Sequence, residues 1–280
     1  MSLELKKDTP LKISELLSLI QKNIPHLSKA ALIDFISYLT DIKRDIILSR
    51  LNDLILLTDK MIKDISLVSR GYPVSYLRRS HNFFGLDFYV DENVLIPRVE
   101  TEVLVYEVLN RADKKRKLSL LDLCTGSGCI LISLLNELKN AKGIGVDISF
   151  DALKVAKKNV MFHKLDNCVK LINADILYSD KYLKGEFDII TINPPYVDKK
   201  GEFSQFIRYE PDIALFSKDK GLFFYKKMLL KLEKLCRKGG IIFYEIGYGQ
   251  SDKLKEIYRD KNIEFVCDYS GIERVMVWRN

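Results

Sequence analysis

The chain has 280 residues, of which 47% are hydrophobic and 30% are charged. This composition is typical of a globular protein, and at roughly 100–200 residues per domain the length suits two domains. The longest apolar runs fall far short of the roughly 20 residues of a membrane helix, so we expect no membrane association. The net charge of +7 favours a polyanionic partner such as RNA, but the lysines are spread so widely that charge does not decide the function.

The cysteines and histidines point away from disulfide and metal chemistry. The five cysteines are an odd number with no CxxC pair, and the three histidines are scattered. They predict neither a disulfide framework nor a zinc site. We therefore expect no metal and a reducing, cytoplasmic compartment.

Residues 1–80 are predicted to form an all-α helical bundle, with Ser28 as one helix N-cap. Helical apolar spacing covers residues 11–20, 28–35, 41–51 and 59–69. No strand-like alternation interrupts this region, and it contains no catalytic constellation. Packing explains its apolar stripes better than a cofactor would, which leaves recognition of a partner as its expected task.

Residues 81–98 are predicted to form a β-hairpin linker. Two apolar-aromatic runs, residues 83–90 and 94–97, flank the short polar segment 91–93. This is the pattern of two strands around a turn. Helical spacing resumes after Glu102.

From residue 117 onward, strand and helix patterns alternate, which predicts an α/β fold with a parallel sheet covered on both faces. The predicted strands are residues 119–123, 143–147, 169–175, 187–192 and 241–245, with an antiparallel closing pair at 263–266 and 274–277. The predicted helices are residues 129–138, 151–163, 221–237 and 252–259. Gly239-Gly240 is expected to end the third of these helices.

Several strand ends carry groups suited to a nucleotide. Gly126 and Gly128 follow the first strand and let backbone N–H groups approach a ligand at a helix N-terminus. Asp147 ends the second strand and can accept from both ribose hydroxyls, while Asp175 ends the third and can accept from an adenine amino group. The Gly-Lys-Ser/Thr ending of a P-loop is absent. We expect a nucleotide-type site at this edge of the sheet.

The fourth strand ends in Asn193-Pro194-Pro195-Tyr196, which predicts a rigid lip at the same edge. The prolines fix φ and donate no N–H, so backbone carbonyls are left as acceptors. Asn193 adds a side-chain carbonyl and Tyr196 a flat face. Such a lip suits a planar amide or amino group held by its two hydrogens. An ordinary strand-ending turn is the alternative.

Residues 122–128 resemble the first motif of the class I S-adenosylmethionine-dependent methyltransferases, which is acidic-x-Gly-x-Gly-x-Gly. Asp122 matches the acidic residue, whereas Cys124 stands where the first glycine is usual. The resemblance implies a Rossmann-like, seven-stranded sheet in a catalytic domain of residues 99–280. It also implies S-adenosyl-L-methionine as methyl donor and S-adenosyl-L-homocysteine as product. The residues implied in cofactor binding are Cys124, Thr125, Gly126, Ser127, Gly128, Asp147, Asp175, Ile176 and Asn193.

The resemblance narrows to the release factor glutamine methyltransferases (the HemK/PrmC family). It rests on the order of Phe83-Phe84-Gly85, Leu95-Ile96-Pro97-Arg98, Glu100-Thr101-Glu102, Asn193-Pro194-Pro195-Tyr196, Glu210-Pro211, Leu215-Phe216, Gly221-Leu222 and Glu245-Ile246-Gly247 with Gln250. Val99 replaces a usual proline, and Leu77-Arg78-Arg79 stands where a glycine is common. The resemblance implies methylation of the N5 amide nitrogen of the glutamine in the Gly-Gly-Gln motif of peptide chain release factors.

In this interpretation Asn193, Pro194, Pro195 and Tyr196 are both the catalytic and the substrate-binding residues. Asn193 Oδ1 and the Pro194 carbonyl would each accept one N–H of the substrate amide. Tyr196 would pack on the flat group and Pro195 would stiffen the lip. Water takes the proton, unless Glu210 assists.

Arg98, Glu100 and Glu102 have two interpretations. They are either the solvated start of a helix or, as the resemblance suggests, residues that order the cofactor side of the site.

Two other functions stay open. A nucleic-acid methyltransferase acting on adenine N6 or guanine N2 would share the Asn-Pro-Pro-Tyr segment and the positive charge, but it predicts an RNA module or a basic aromatic surface that the bundle lacks. A non-catalytic binding protein would keep only the fold, and the complete tetrapeptide argues against it. We thus expect a release factor as protein substrate, no direct binding of nucleic acid, and a monomer.

Overall fold

The computed structural model describes residues 6–183, 185–200 and 205–280, without the side chains of residues 179, 180, 205 and 206. The chain divides into two compact units, Met1–Arg79 and Ser80–Asn280. The first five residues of the predicted 1–80 bundle lie outside the described part of the chain.

The first unit consists mainly of helices. These are α1 (Ile13–Asn23), α2 (Lys29–Thr40), α3 (Asp59–Ser69), α4 (Val74–Arg78) and a 3-10 helix, Arg44–Arg50. Ser28 caps α2 as predicted, since its Oγ accepts the N–H of Ala31 at 3.2 Å. Apolar side chains at helical spacing, such as Ile13, Leu16 and Ile20, are fully buried in the core of this unit.

Two features of this unit differ in detail from the sequence prediction. A short antiparallel pair, β1 (Pro10–Lys12) with β2 (Leu54–Leu56), accompanies the helices. Strands of three residues are too short for period-two alternation to stand out from helical spacing. The helix predicted at 41–51 is the shorter 3-10 helix Arg44–Arg50.

The second unit begins with a hairpin whose turn lies earlier than predicted. β3 (His81–Phe83) pairs antiparallel with β4 (Leu86–Phe88). The turn is Phe84-Gly85, with φ of +50° and +72°, as in two-residue type I′ turns. The predicted turn at 91–93 is present, since the N–H of Val94 donates to the carbonyl of Asp91 at 3.1 Å, but it does not join two strands because residues 94–97 form no strand. The predicted position of the hairpin is therefore wrong. The sequence did not indicate a turn at Phe84-Gly85, because bulky residues such as Phe84 rarely adopt a positive φ.

The strands that follow the hairpin include the seven of the central sheet. Those in the described ranges are β5 (Ser119–Leu123), β6 (Lys142–Asp147), β7 (Val169–Asn173), β8 (Phe187–Ile192), β9 (Val197–Asp198), β10 (Phe216–Ser217), β11 (Cys236–Glu245), β12 (Asn262–Cys267) and β13 (Glu273–Arg279). The order in the sheet is β12-β13-β11-β8-β5-β6-β7, with β13 antiparallel to both neighbours, while β9 and β10 form a separate parallel pair. This confirms the predicted Rossmann-like α/β sheet and its antiparallel closing pair.

Both faces of the sheet are buried. The helices of this unit are α5 (Thr101–Arg111), α6 (Cys129–Glu137), α7 (Phe150–Phe162), α8 (Asp212–Leu215), α9 (Phe223–Leu235) and α10 (Ser251–Ile257), with 3-10 helices Ile176–Lys181, Gln205–Tyr209 and Asp219–Gly221. Leu120 and Leu121 of β5 lie in two different apolar clusters, as expected for a sheet packed on both sides. No helix in the described ranges is both long and apolar enough to span a bilayer.

The prediction that Gly239-Gly240 ends a helix is wrong, because both glycines lie within β11. Helix α9 ends at Leu235, and the strand begins directly at Cys236. Gly239 has φ +74°, and the pairing with β8 shifts register between Cys236 and Ile241. The two glycines thus form an irregularity within the strand instead of ending the helix.

The sheet order brings three strand ends together. β8 lies between β5 and β11, and Ile192 pairs with Leu123 on one side and Tyr244 on the other. The residues that follow these three positions are Asn193, Cys124 and Glu245. They meet at the carboxyl edge of the sheet, where open α/β folds bind their ligands.

Candidate active site

A buried carboxylate supports the loop between β5 and α6. Asp122 is fully buried and accepts hydrogen bonds from the hydroxyls of Thr125 at 2.6 Å and Thr191 at 2.7 Å. Burial raises the pKa of Asp122 to about 6, although the two threonine hydroxyls act to lower it. Asp122 therefore ties the loop to β8 from beneath and does not itself reach the surface.

Cys124 has a backbone conformation that favours glycine. Its φ is +59°, in the left-handed region that costs an L-residue roughly 1–2 kcal/mol. Burial, with Asp147, Asp122 and Asp175 nearby, raises the pKa of the Cys124 thiol well above its ordinary value. Cys124 is thus a small, neutral side chain that the loop accommodates with some backbone strain.

A cavity at this edge of the sheet brings most of the predicted residues together. Its wall includes Cys124, Thr125, Gly126, Ser127, Asp147, Asp175, Ile176, Asn193 and Pro195. Gly128, Pro194 and Tyr196 lie outside this wall. Gly128 is the N-cap of α6, and Pro194 is buried at the end of β8.

Asp147 joins the glycine loop to the start of α7. Its Oδ2 accepts the N–H of Gly126 and its Oδ1 accepts the N–H of Ser149, each at 2.9 Å. Burial raises the pKa of Asp147, and these backbone hydrogen bonds lower it. Each carboxylate oxygen can accept a second hydrogen bond. The carboxylate therefore organises the loop and can also accept from a ligand in the cavity.

Asp175 lies two residues beyond β7, which ends at Asn173 and not at Asp175 as predicted. Its Oδ1 accepts the N–H of Leu177 at 2.8 Å, and its backbone carbonyl accepts from the Tyr182 hydroxyl at 2.8 Å. These bonds hold Asp175 and the following Ile176 in the cavity wall.

Asn193 has a defined amide orientation. Its Nδ2 donates to Oε2 of Glu245 at 2.9 Å and lies 3.4 Å from the Thr101 hydroxyl oxygen. Burial raises the pKa of Glu245, while hydrogen bonds with the hydroxyls of Thr101 and Tyr196 act to lower it. In its ionised form the carboxylate can only accept hydrogen bonds, and the nitrogen of Asn193 faces it as a donor. The carbonyl oxygen Oδ1 is therefore on the other side of the amide, available to a donor in the cavity.

Tyr196 is held at both its side chain and its backbone. The hydroxyl donates to Oε1 of Glu245 at 2.9 Å. The backbone carbonyl accepts from Nε2 of Gln250 at 3.3 Å, and the N–H of Gly247 donates to Oε1 of Gln250 at 2.9 Å. The segment that follows β8 is thus fixed to the segment that follows β11.

Arg98 and Glu102 are not simply solvated. The guanidinium of Arg98 forms an ion pair with Glu210, whose other oxygen accepts the N–H of Ile96 at 3.0 Å. Oε1 of Glu102 accepts the N–H of Phe84 at the hairpin turn, at 2.8 Å. Glu210 is 5% exposed. It therefore ties residues 96–98 to the segment that precedes α8.

Glu245 and Thr101 belong to the site, although the sequence motifs did not assign them to it. Glu245 ends the predicted strand 241–245, so the rule that found Asn193, that polar strand ends gather at one edge, could also have found it. Thr101 begins α5, and no local pattern indicates its proximity to Asn193.

The chain has relatives among known protein families. A family model described as a methyltransferase domain matches residues 114–272. The release factor glutamine methyltransferase of Clostridium acetobutylicum is 34% identical over 219 residues, covering 76% of this chain and 77% of that protein. That of Flavobacterium psychrophilum is 36% identical over 243 residues, covering 80% and 84%. The chain belongs to the release factor glutamine methyltransferase family.

Solved structures agree on the fold of this family member. The ribosomal protein L11 methylase of Lactobacillus delbrueckii superposes with a TM-score of 0.50 at 17% identity, covering 68% of this chain and 84% of that chain. At this identity the likeness concerns the fold alone. Family membership makes the chain a methyltransferase enzyme, and it confirms the resemblance drawn from the Asn-Pro-Pro-Tyr segment and the linker motifs.

Proposed function

We propose that this enzyme methylates the N5 amide nitrogen of the glutamine in the Gly-Gly-Gln motif of peptide chain release factors, with S-adenosyl-L-methionine as donor. The observation that carries the proposal is the orientation of Asn193. Its nitrogen is bound to Glu245, which leaves Oδ1 to accept from a primary amide beside the cavity. The names of the relatives support a release factor glutamine as the substrate.

The cavity wall fits a nucleoside cofactor. Asp147 offers carboxylate lone pairs for ribose hydroxyls, and Asp175 offers an acceptor for an amino group. Apolar side chains such as Ile148 and Ile176 line the same cavity and suit an adenine ring. When bound, S-adenosyl-L-methionine supplies an electrophilic methyl group. Cys124, Thr125, Gly126, Ser127 and Gly128 would hold its amino-acid end through the loop.

Asn193 and Pro194 bind the substrate amide through its two hydrogens. Asn193 Oδ1 accepts one N–H and the Pro194 carbonyl accepts the other, so the nitrogen is turned towards the cavity. Pro195 is buried in the cavity wall and restrains this backbone. Tyr196 has its hydroxyl engaged by Glu245, which leaves the ring to pack on the flat amide.

Orientation provides most of the catalysis in this scheme. An amide nitrogen is a weak nucleophile because its lone pair is delocalised, and correct positioning can contribute up to roughly 7–11 kcal/mol in favourable systems. The two acceptors also stabilise the positive charge that develops on the nitrogen. Glu210 is engaged by Arg98 and Ile96, so water is the proposed proton acceptor.

The proposed release-factor recognition domain is residues 1–80, which the first unit, Met1–Arg79, nearly matches. Residues 81–98 are the proposed linker to the catalytic domain, residues 99–280. Leu54 and Leu56 of β2 are 71% and 59% exposed, and clustered exposed apolar side chains are a common mark of protein-binding surfaces. We propose a cytoplasmic monomer that acts on protein without binding nucleic acid directly.

A labelling assay tests this function. Purified release factors, total RNA and DNA are offered side by side with methyl-labelled S-adenosyl-L-methionine, and the Asn193→Ala variant defines the background. We expect label in the release factors alone. Label found only in RNA or DNA would overturn the proposal in favour of base methylation.

A further inference from the structure

Glu245 bonds to two residues of the Asn193-Pro194-Pro195-Tyr196 segment. Its Oε2 accepts from Nδ2 of Asn193 and its Oε1 accepts from the hydroxyl of Tyr196, both at 2.9 Å. Glu245 is only 1% exposed. Each carboxylate oxygen therefore serves a different residue of the segment, in a place that water does not reach.

The backbone of Glu245 is as well supported as its side chain. The residue ends β11, directly after the pair Tyr244 and Ile192 that joins β11 to β8. The Tyr225 hydroxyl donates to the carbonyl of Glu245 at 2.8 Å, and the Tyr258 hydroxyl donates to the carbonyl of Tyr225 at 3.0 Å. Both hydroxyls come from fully buried tyrosines. The carboxylate is thus presented from a rigid part of the fold.

A carboxylate in this position selects one amide orientation. An asparagine amide can rotate by half a turn and exchange its donor and acceptor sides. Rotation at Asn193 would bring Oδ1 against Oε2 of Glu245, placing two acceptors in contact. In low-dielectric surroundings such an arrangement is strongly unfavourable.

We propose that Glu245 is a positioning residue, which holds Asn193 Oδ1 towards the substrate amide and fixes the Tyr196 ring through its hydroxyl. The choice of a primary amide as substrate rests on the proposed function. Burying a carboxylate is less favourable than burying an apolar side chain. Orientation of the Asn-Pro-Pro-Tyr segment explains why the carboxylate is there, whereas packing does not.

Reciprocal variants give the sharpest test. In Asn193→Asp two carboxylates face each other, and we expect kcat to fall about a hundredfold, as for a misplaced reacting group. Adding Glu245→Gln supplies an amide N–H that can donate to the new carboxylate at position 193, while the glutamine oxygen still accepts from Tyr196. The double variant should recover at least about tenfold in kcat over Asn193→Asp, corresponding to about 1.4 kcal/mol.

The same Glu245→Gln change should lower kcat in the wild-type background, because glutamine can present either its oxygen or its nitrogen to Asn193. The KM for the release factor should stay within about threefold, since orientation of a bound group affects mainly the transition state. Glu107→Gln is the matched control, a buried glutamate of α5 whose partner is Arg111, and it should leave kcat unchanged. The proposal would be overturned if Glu245→Gln lowers kcat both in the wild-type enzyme and in the Asn193→Asp variant.

A spectroscopic measurement separates this inference from the choice of substrate. In protein with isotope-labelled asparagine, the Nδ2 protons of Asn193 should show slow exchange with water that is lost in Glu245→Met and kept in Glu107→Gln. Unchanged Asn193 signals in Glu245→Met would contradict the positioning role. If the wild type labels no release factor, the proposed substrate is wrong, but these signals still decide whether Glu245 orients Asn193.

Discussion

Gly221 packs directly against the backbone carbonyl of Tyr196. A Cβ at Gly221 would lie 2.0 Å from that oxygen and 2.5 Å from Nε2 of Gln250, which also binds the Tyr196 carbonyl. Gly221 has φ +83°. The end of the Asn-Pro-Pro-Tyr segment thus depends on a residue without a side chain, 25 positions later in the chain.

Gly221→Ala should therefore displace Tyr196 and lower both stability and turnover. We expect a loss of about 1–3 kcal/mol from the steric conflict, in addition to roughly 1–2 kcal/mol from the positive φ. Gly249→Ala is the matched control, because Gly249 also has a positive φ, +72°, but has open space around it. Urea unfolding of both variants checks the prediction. Equal losses of unfolding free energy in the two variants would show that Tyr196 shifts to accommodate the added methyl group at no measurable cost in stability.

Asn193→Ala should abolish most turnover while leaving cofactor affinity within a few-fold. The alanine removes the acceptor proposed for the substrate amide but leaves Asp147 and the glycine loop in place. Methyl transfer to a release factor and calorimetric titration with S-adenosyl-L-methionine measure the two effects. Asn262→Ala, at an exposed position of β12, serves as control. Turnover near wild type in Asn193→Ala would refute the mechanism.

Asp147→Ala should weaken cofactor binding more than turnover. Loss of a charge-assisted hydrogen bond to a ribose corresponds to roughly 1.5–3 kcal/mol, which is about a ten- to hundredfold rise in Kd. Asp151→Ala, at an exposed aspartate of α7 paired with Lys154, should leave Kd unchanged. Calorimetric titration of both variants decides the point, and equal affinities would reject the ribose assignment.

Asp122 should make the protein less stable as pH rises through mildly acidic values. Burial raises its pKa from 3.8 to about 6, so the folded state keeps this proton to higher pH than the unfolded state. The contribution to the free energy of unfolding is then largest below about pH 4, falls up to about pH 6 and is level above that. Its size is on the order of 3 kcal/mol.

Asp122→Asn removes this titration, so the difference in unfolding free energy between variant and wild type should shift in favour of the variant between about pH 4 and pH 7. Urea unfolding across this range measures the difference. Other carboxylates titrate in both proteins and cancel. A difference that is independent of pH would show that Asp122 is ionised throughout, with its pKa held down by Thr125 and Thr191.

The general position of the site followed from the sequence because parallel strands end at one edge of the sheet. That rule alone predicted that Gly126, Asp147 and Asn193 lie close together. The same rule extends to Glu245 at the end of the predicted strand 241–245, but the order of the strands was needed to predict which residue it contacts. Its contact with Asn193 depends on β11 lying beside β8, which follows from long-range packing and not from any local pattern.

Backbone conformation accounts for the differences at Phe84, Cys124 and Gly239. Phe84 and Cys124 both adopt a positive φ although neither is glycine, so a rule that looks for glycine in turns misses the first and expects a different residue at the second. The sequence predicts a helix end at Gly239 because glycine is common there. In the structure the same conformational freedom serves the irregular start of β11.

The central claim is that the enzyme methylates a glutamine side-chain amide in a release factor. Mass spectrometry of a release factor treated with the enzyme and S-adenosyl-L-methionine tests it most directly. We predict one added methyl group, located by fragmentation on the side chain of the glutamine in the Gly-Gly-Gln motif, and none with the Asn193→Ala enzyme. A methyl group on another residue, or an unmodified release factor alongside a methylated nucleic acid, would contradict the account.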